Sequence, residues 1–101
     1  MQVLYHDDVK AFVKKLQKPT QSKVLRAIEL LEQYGRNLSM PHAKRITNIL
    51  YELRIRGIQE VRIFYILQED SALLLHAFLK KTQKTPKREI ETAERRFQLL
   101  T

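Results

Sequence analysis

The residues best suited to chemistry in this sequence are cations set among apolar neighbours. Arg62 lies between Val61 and Ile63, a place where an arginine does not belong unless it meets an anion or an open face. Arg54 and Arg56 stand just upstream, in Tyr51-Glu52-Leu53-Arg54-Ile55-Arg56. Downstream, His76 leads through Ala77-Phe78-Leu79 to Lys80, Lys81, Lys84, Lys87 and Arg88 with no acid between them. Guanidinium groups grip phosphate oxygens in pairs, and positioned cations stabilise charge that develops there. The chemistry on offer is therefore recognition of a phosphate group. Glu52 and His76, nearby, are of types that can accept a proton near neutral pH when suitably placed. Each also has a plainer reading: Glu52 as an ion pair with Arg54 or Arg62 across a sheet, and His76 as a satisfied core histidine.

These residues need strands to carry them. Runs rich in Ile, Leu, Val, Tyr and Phe at 50–56, 61–67 and 72–79, separated by turn signals at Gly57 and Glu69-Asp70-Ser71, predict an antiparallel meander. Alternation puts Tyr51, Leu53 and Ile55 on one face and Glu52, Arg54 and Arg56 on the other. Arg54 and Arg62 share a face only if an odd-length loop or a bulge joins their strands, and a three-residue loop with a bulge near Gly57 would do this. The three arginines would then cluster on an open sheet face, so that Arg62→Ala would remove an exposed charge and no core volume.

Upstream, a short strand at 2–5 precedes Asp7 and Asp8, either able to cap a helix with Val9, Phe12, Val13 and Leu16 on one face. Lys18-Pro19 ends it. A second helix, from about 20 to 34, aligns Val24, Ile28 and Leu31, and Gly35 sits where a left-handed cap belongs. Residues 36–48 read as a loop that delivers Lys44 and Arg45 to the first central strand. The last helix starts with Thr85 as N-cap and Pro86 at its first position, and carries Ile90, Ala93, Phe97 and Leu100. Its dipole adds to the positive potential of the basic linker before it. The order β-α-α-β-β-β-α predicts an α+β fold, an antiparallel sheet with an N-terminal helical hairpin and a C-terminal helix.

Composition narrows the partners. The 101 residues suit one domain, 1–101, because two halves would each be too small to bury a core. There is no cysteine, and His6, His42 and His76 lack the close spacing of zinc motifs, so no metal or other cofactor is expected and a reducing cytoplasm suits the chain. No apolar run approaches the ~20 residues of a membrane span, so no membrane partner is expected. The net charge of +8 favours an anionic partner, nucleic acid above all. Lys10, Lys14, Lys15, Lys18 and Lys23 read as the solvated outer face of the hairpin, as do Arg95 and Arg96 on the last helix.

Three blocks, Tyr51-Glu52-Leu53-Arg54, Val61-Arg62-Ile63-Phe64-Tyr65 and the segment from His76 to Pro86, resemble successive blocks of HigB-like toxins in the RelE/ParE superfamily. The Met40-Pro41-His42-Ala43-Lys44 loop matches as well, and the likeness covers most of the chain. This resemblance implies a RelE-like fold and a metal-independent endoribonuclease that enters the ribosomal decoding site and cuts messenger RNA. The 2′-hydroxyl of the RNA would attack the adjacent phosphate, leaving a 2′,3′-cyclic phosphate and a 5′-hydroxyl. A cognate antitoxin, of the helix-turn-helix type, is the implied partner beside the ribosome and mRNA.

By the same resemblance Arg62 takes the phosphate-stabilising role, and Arg54 occupies the place of a lysine or arginine on the first central strand. Lys80 and Lys81 would stabilise the transition state or protonate the leaving oxygen, with Lys44, Arg45, Arg56 and Lys84 contacting RNA. The chain departs from the RelE pattern at Glu52, where that pattern has a lysine, and between Pro86 and Ile90, where its tyrosine has no counterpart. Those departures leave the general base open between Glu52 and His76. The rivals are a ParE-like protein, which shares the fold but inhibits DNA gyrase without a catalytic basic cluster, and a non-catalytic nucleic-acid-binding module.

Overall fold

A computed structural model describes residues 1–100. The elements are β1 (Gln2–Tyr5), α1 (Asp7–Lys14), α2 (Lys18–Tyr34), a 3-10 turn (Gly35–Asn37), β2 (Ala43–Arg45), β3 (Tyr51–Ile55), β4 (Val61–Leu67), β5 (Ser71–Leu79) and α3 (Lys87–Leu99). The strands form one sheet in the order β1-β5-β4-β3-β2. The α+β class, the helical hairpin and the C-terminal helix are as expected. The predicted order lacked one strand, and the sheet is mixed rather than antiparallel. Within the predicted loop at 36–48, Ala43–Arg45 pairs antiparallel with β3, and at the other edge β1 runs parallel to β5.

Helix ends differ from expectation by local chemistry. His6, not either aspartate, caps α1, its Nδ1 accepting from the Asp8 N–H at 3.1 Å. Asp7 and Asp8 sit instead in the first turn, where carboxylates oppose the dipole. Lys18-Pro19 opens α2 rather than closing α1, because proline fits the first turn, whose N–H groups have no partner. Gly35 ends α2 with φ of +52°, a backbone that L side chains rarely adopt. Pro86, not Thr85, is the N-cap residue of α3.

Helices cover the sheet unequally. On one face Leu53, Ile55, Val61, Ile63, Tyr65 and Leu74 pack with Val9 of α1 and with Val24, Ile28 and Leu31 of α2. On the other, Phe64, Ile66, Leu75 and Phe78 pack with Ile90, Ala93 and Phe97 of α3. This helix packs on β5 and β4. Glu52, Arg54 and Arg62 belong to the α3 face by alternation, and there the cleft described below opens.

The β4–β5 register shifts between Phe64 and Tyr65, so that Phe64 faces His76 while Tyr65 faces Leu74. Leu75 is the extra residue, and this bulge turns both Leu75 and His76 toward α3.

Candidate phosphate-binding cleft

Arg54, Arg56, Glu60, Arg62, Lys80, Lys81, Thr82 and Gln83 line an open cleft of about 490 Å³. Register builds it. Arg54 and Arg62 are direct cross-strand partners, joined through a five-residue loop at 56–60, so the odd-length condition is met without the three-residue loop and bulge near Gly57. The Gly57 N–H donates to Glu60 Oε2 at 3.0 Å and closes that turn. The Lys80 N–H donates to the Glu60 carbonyl at 2.8 Å, which draws the basic linker alongside the arginines.

Arg62 is not on an open face: it is 2% exposed and forms the floor of the cleft. Its Nη1 donates to the Val61 carbonyl at 3.0 Å, its Nη2 lies 3.5 Å from Glu60 Oε1, and its Nε lies 3.8 Å from Glu52 Oε1. Burial lowers the pKa of this guanidinium below its ordinary value, Glu52 and Glu60 oppose that, and Arg54 adds to it. A cation in such surroundings is kept by its carboxylates.

Glu52 is likewise buried, at 3%, and its Oε1 also lies 3.6 Å from Arg54 Nε. Its ion-pair reading therefore holds with both arginines. Neither contact is a hydrogen bond, and Glu52 Oε2, Arg54 Nε and Arg62 Nε have no hydrogen-bond partner among the described residues. Arg54 is fixed from above instead, by Nη1 against Met40 Sδ at 3.3 Å and by its N–H on the His42 carbonyl at 2.8 Å. The segment before β2 thus braces Arg54.

His76 does not join the cleft. Its Nε2 meets Glu89 Oε1 at 2.8 Å, its Nδ1 lies 3.3 Å from Arg96 Nη1, and Arg96 reaches on to Asp8. Phe78 stacks on the imidazole and packs against Phe64. Those rings are the cross-strand neighbours of Arg62 and His76 respectively, so they stand between the two. Arg96, expected on a solvated face, is instead half-buried in this network.

Of the other candidates, Arg56 lines the cleft, and Lys44 pairs in register with Glu52 and shares its face. Lys84 is exposed in the linker. Arg45 faces the other way, beside Tyr51, where its guanidinium donates to the carbonyls of Thr47 at 3.1 Å and Asn48 at 2.8 Å. It braces its own loop.

Sequence reasoning missed Glu60, the lone acid lining the cleft. Extending the alternation of β4 backwards by two residues from Arg62 would have found it. Burial pushes the Glu60 carboxyl up, but the Gly57 N–H and the charges of Arg62 and Arg56 outweigh this and hold it below the ordinary carboxylate value. No group of three or more histidine or acidic side chains placed to hold a metal ion occurs among the described residues.

An open, cation-lined cleft on an α+β sheet is a surface built for an anionic ligand. The chain belongs to the family described as Phage derived protein Gp49-like (DUF891), whose model matches residues 11–98 and so takes in every cleft residue. This RelE-like family is associated with the toxins of toxin–antitoxin systems, which implies an antitoxin partner. No curated protein matches the chain. No helix among the described residues is long and apolar enough to cross a membrane.

Proposed function

We propose that this protein is the toxin of a type II toxin–antitoxin pair, of the HigB-like branch, and that it cleaves messenger RNA on the ribosome. The observation that carries this reading is the convergence of Arg54, Arg56, Arg62, Lys80 and Lys81 on one cleft against the single acid Glu60. Such a lining fits a phosphodiester better than any neutral ligand.

The division of labour follows from position. Arg54, with Lys80 and Lys81, grips the phosphate, and Arg62, paired with Arg54 across the strands, adds its charge from the floor of the cleft to stabilise the phosphate oxygens as the 2′-hydroxyl attacks. Lys80 or Lys81 gives a proton to the departing 5′-oxygen. Arg56, Lys44 and Lys84 track the backbone on either side. A donor aimed at such developing charge is worth about 10²–10³ in rate.

The competing reading is a ParE-like inhibitor of DNA gyrase, which needs binding alone. Two assays separate them. The nuclease reading expects RNA fragments ending in 2′,3′-cyclic phosphate from a translating extract, with supercoiling by gyrase unaffected. Intact message with supercoiling blocked would replace it with the gyrase reading.

A further inference from the structure

We propose that Glu60 is the general base that takes the proton from the attacking 2′-hydroxyl. This rests on the ribonuclease reading above and names a residue for the step that the reading leaves without one. Glu60 is the lone acid lining the cleft. Of the two groups that the sequence offered for this role, Glu52 is 3% exposed beside two guanidiniums, and His76 is turned to Glu89 and Arg96 in a separate network. Neither reaches a phosphate gripped by Arg54, Lys80 and Lys81 without repacking.

The Glu60 carboxylate is held ready. Gly57 N–H fixes Oε2 from behind at 3.0 Å and Arg62 Nη2 lies 3.5 Å from Oε1. Each oxygen keeps a further lone pair for a hydroxyl proton. The side chain is 37% exposed, enough to meet substrate.

The same surroundings give the base its timing. In the free protein the Gly57 N–H and the arginines hold the carboxyl low, so it stands ionised at neutral pH. A phosphate entering the cleft competes for Arg62 and adds a negative charge nearby, and both effects raise the proton affinity of Glu60 in the complex. In the step itself the 2′-O–H bond breaks with its proton passing to Glu60. The 2′-oxygen bonds to phosphorus, the P–O5′ bond breaks, and the 5′-oxygen takes a proton from Lys80 or Lys81. Exchange with water restores both groups.

The test is single-turnover cleavage of ribosome-bound message by wild type, Glu60→Gln and Glu60→Asp across the acid range, with RNA affinity measured alongside. Glu60→Gln keeps an acceptor for Gly57 N–H and removes a negative charge, so RNA should bind at least as tightly. Its rate should fall about 10²–10⁴-fold and lose the acid limb of the pH profile, while Glu60→Asp should be slower than wild type but keep that limb. On RNA with a 5′-bridging sulfur, which leaves without a proton, Glu60→Gln should remain as impaired. A Glu60→Gln rate within a few-fold of wild type, an unchanged acid limb, an Asp variant without one, or rescue by the sulfur substrate would each overturn the assignment while leaving the nuclease reading standing. Wild type that leaves the message intact would overturn both.

Discussion

Glu52 Oε1 lies 3.8 Å from Arg62 Nε, and the two residues are only 3% and 2% exposed, so a buried ion pair underlies the cationic cleft. Arg62→Ala therefore does not remove a surface charge. It strands Glu52 in the interior beside Arg54 alone, a loss of about 3–5 kcal/mol, against a total of about 5–15 kcal/mol for a domain of this kind. Urea unfolding of the variant should show the midpoint falling with little change of slope. Replacing both partners with apolar residues of similar volume should restore much of the stability, and a doubly substituted protein no more stable than Arg62→Ala would contradict the pairing.

Lys81 is exposed and Lys80 half-buried, and both line the cleft. Their single alanine variants should fold as wild type does. Each should bind RNA more weakly and lower the dependence of log affinity on log salt by about one unit. An unaltered salt slope would place the RNA elsewhere.

His76 bridges Glu89 and Arg96, so its replacement should act on the docking of α3 and leave the chemistry alone. His76→Ala should lose about 1–3 kcal/mol in thermal or urea unfolding, as polar groups lose their partner. The pH profile of cleavage should keep its shape. A changed profile would return His76 to the reaction.

Tyr65 is 1% exposed, and burial, then the neighbouring Tyr51, raises its pKa above the ordinary value of about 10. Its phenol stays neutral in the folded protein at pH values where the unfolded chain ionises. Stability is then fully present below about pH 10 and declines above it, by about 1.4 kcal/mol per pH unit for one such group. Tyr65→Phe should remove that share of the alkaline decline in urea titrations, and an identical decline would show that another group causes it.

Much of this architecture is legible in the chain, because Val24, Ile28 and Leu31 or Leu53 and Ile55 declare their period without help from partners. What escapes has a physical reason in each case. Ala43-Lys44-Arg45 forms a strand by pairing with β3 and not by any apolar pattern of its own. The parallel pairing of β1 joins segments some seventy residues apart, as Val3 with Ala72, which no local signal encodes.

The cleft was legible to the same degree. Charge and alternation gave Arg54, Arg62, Lys80 and Lys81, all of which meet. Alternation alone could not say that Arg62 would be buried, since that depends on Glu52 and Glu60 arriving beside it. Nor could it foresee the bulge at Leu75, which turns His76 away from the phase set by Leu74.

The central claim is that the cleft cations cleave RNA, and primer extension on message from an in vitro translation reaction tests it most directly. Wild type should give discrete cuts inside ribosome-bound codons. A Lys80→Ala/Lys81→Ala double variant, shown by urea unfolding to be as stable, should give none, or cuts reduced at least 10²-fold. Cuts of undiminished strength from the double variant, or intact message with wild type, would contradict the account.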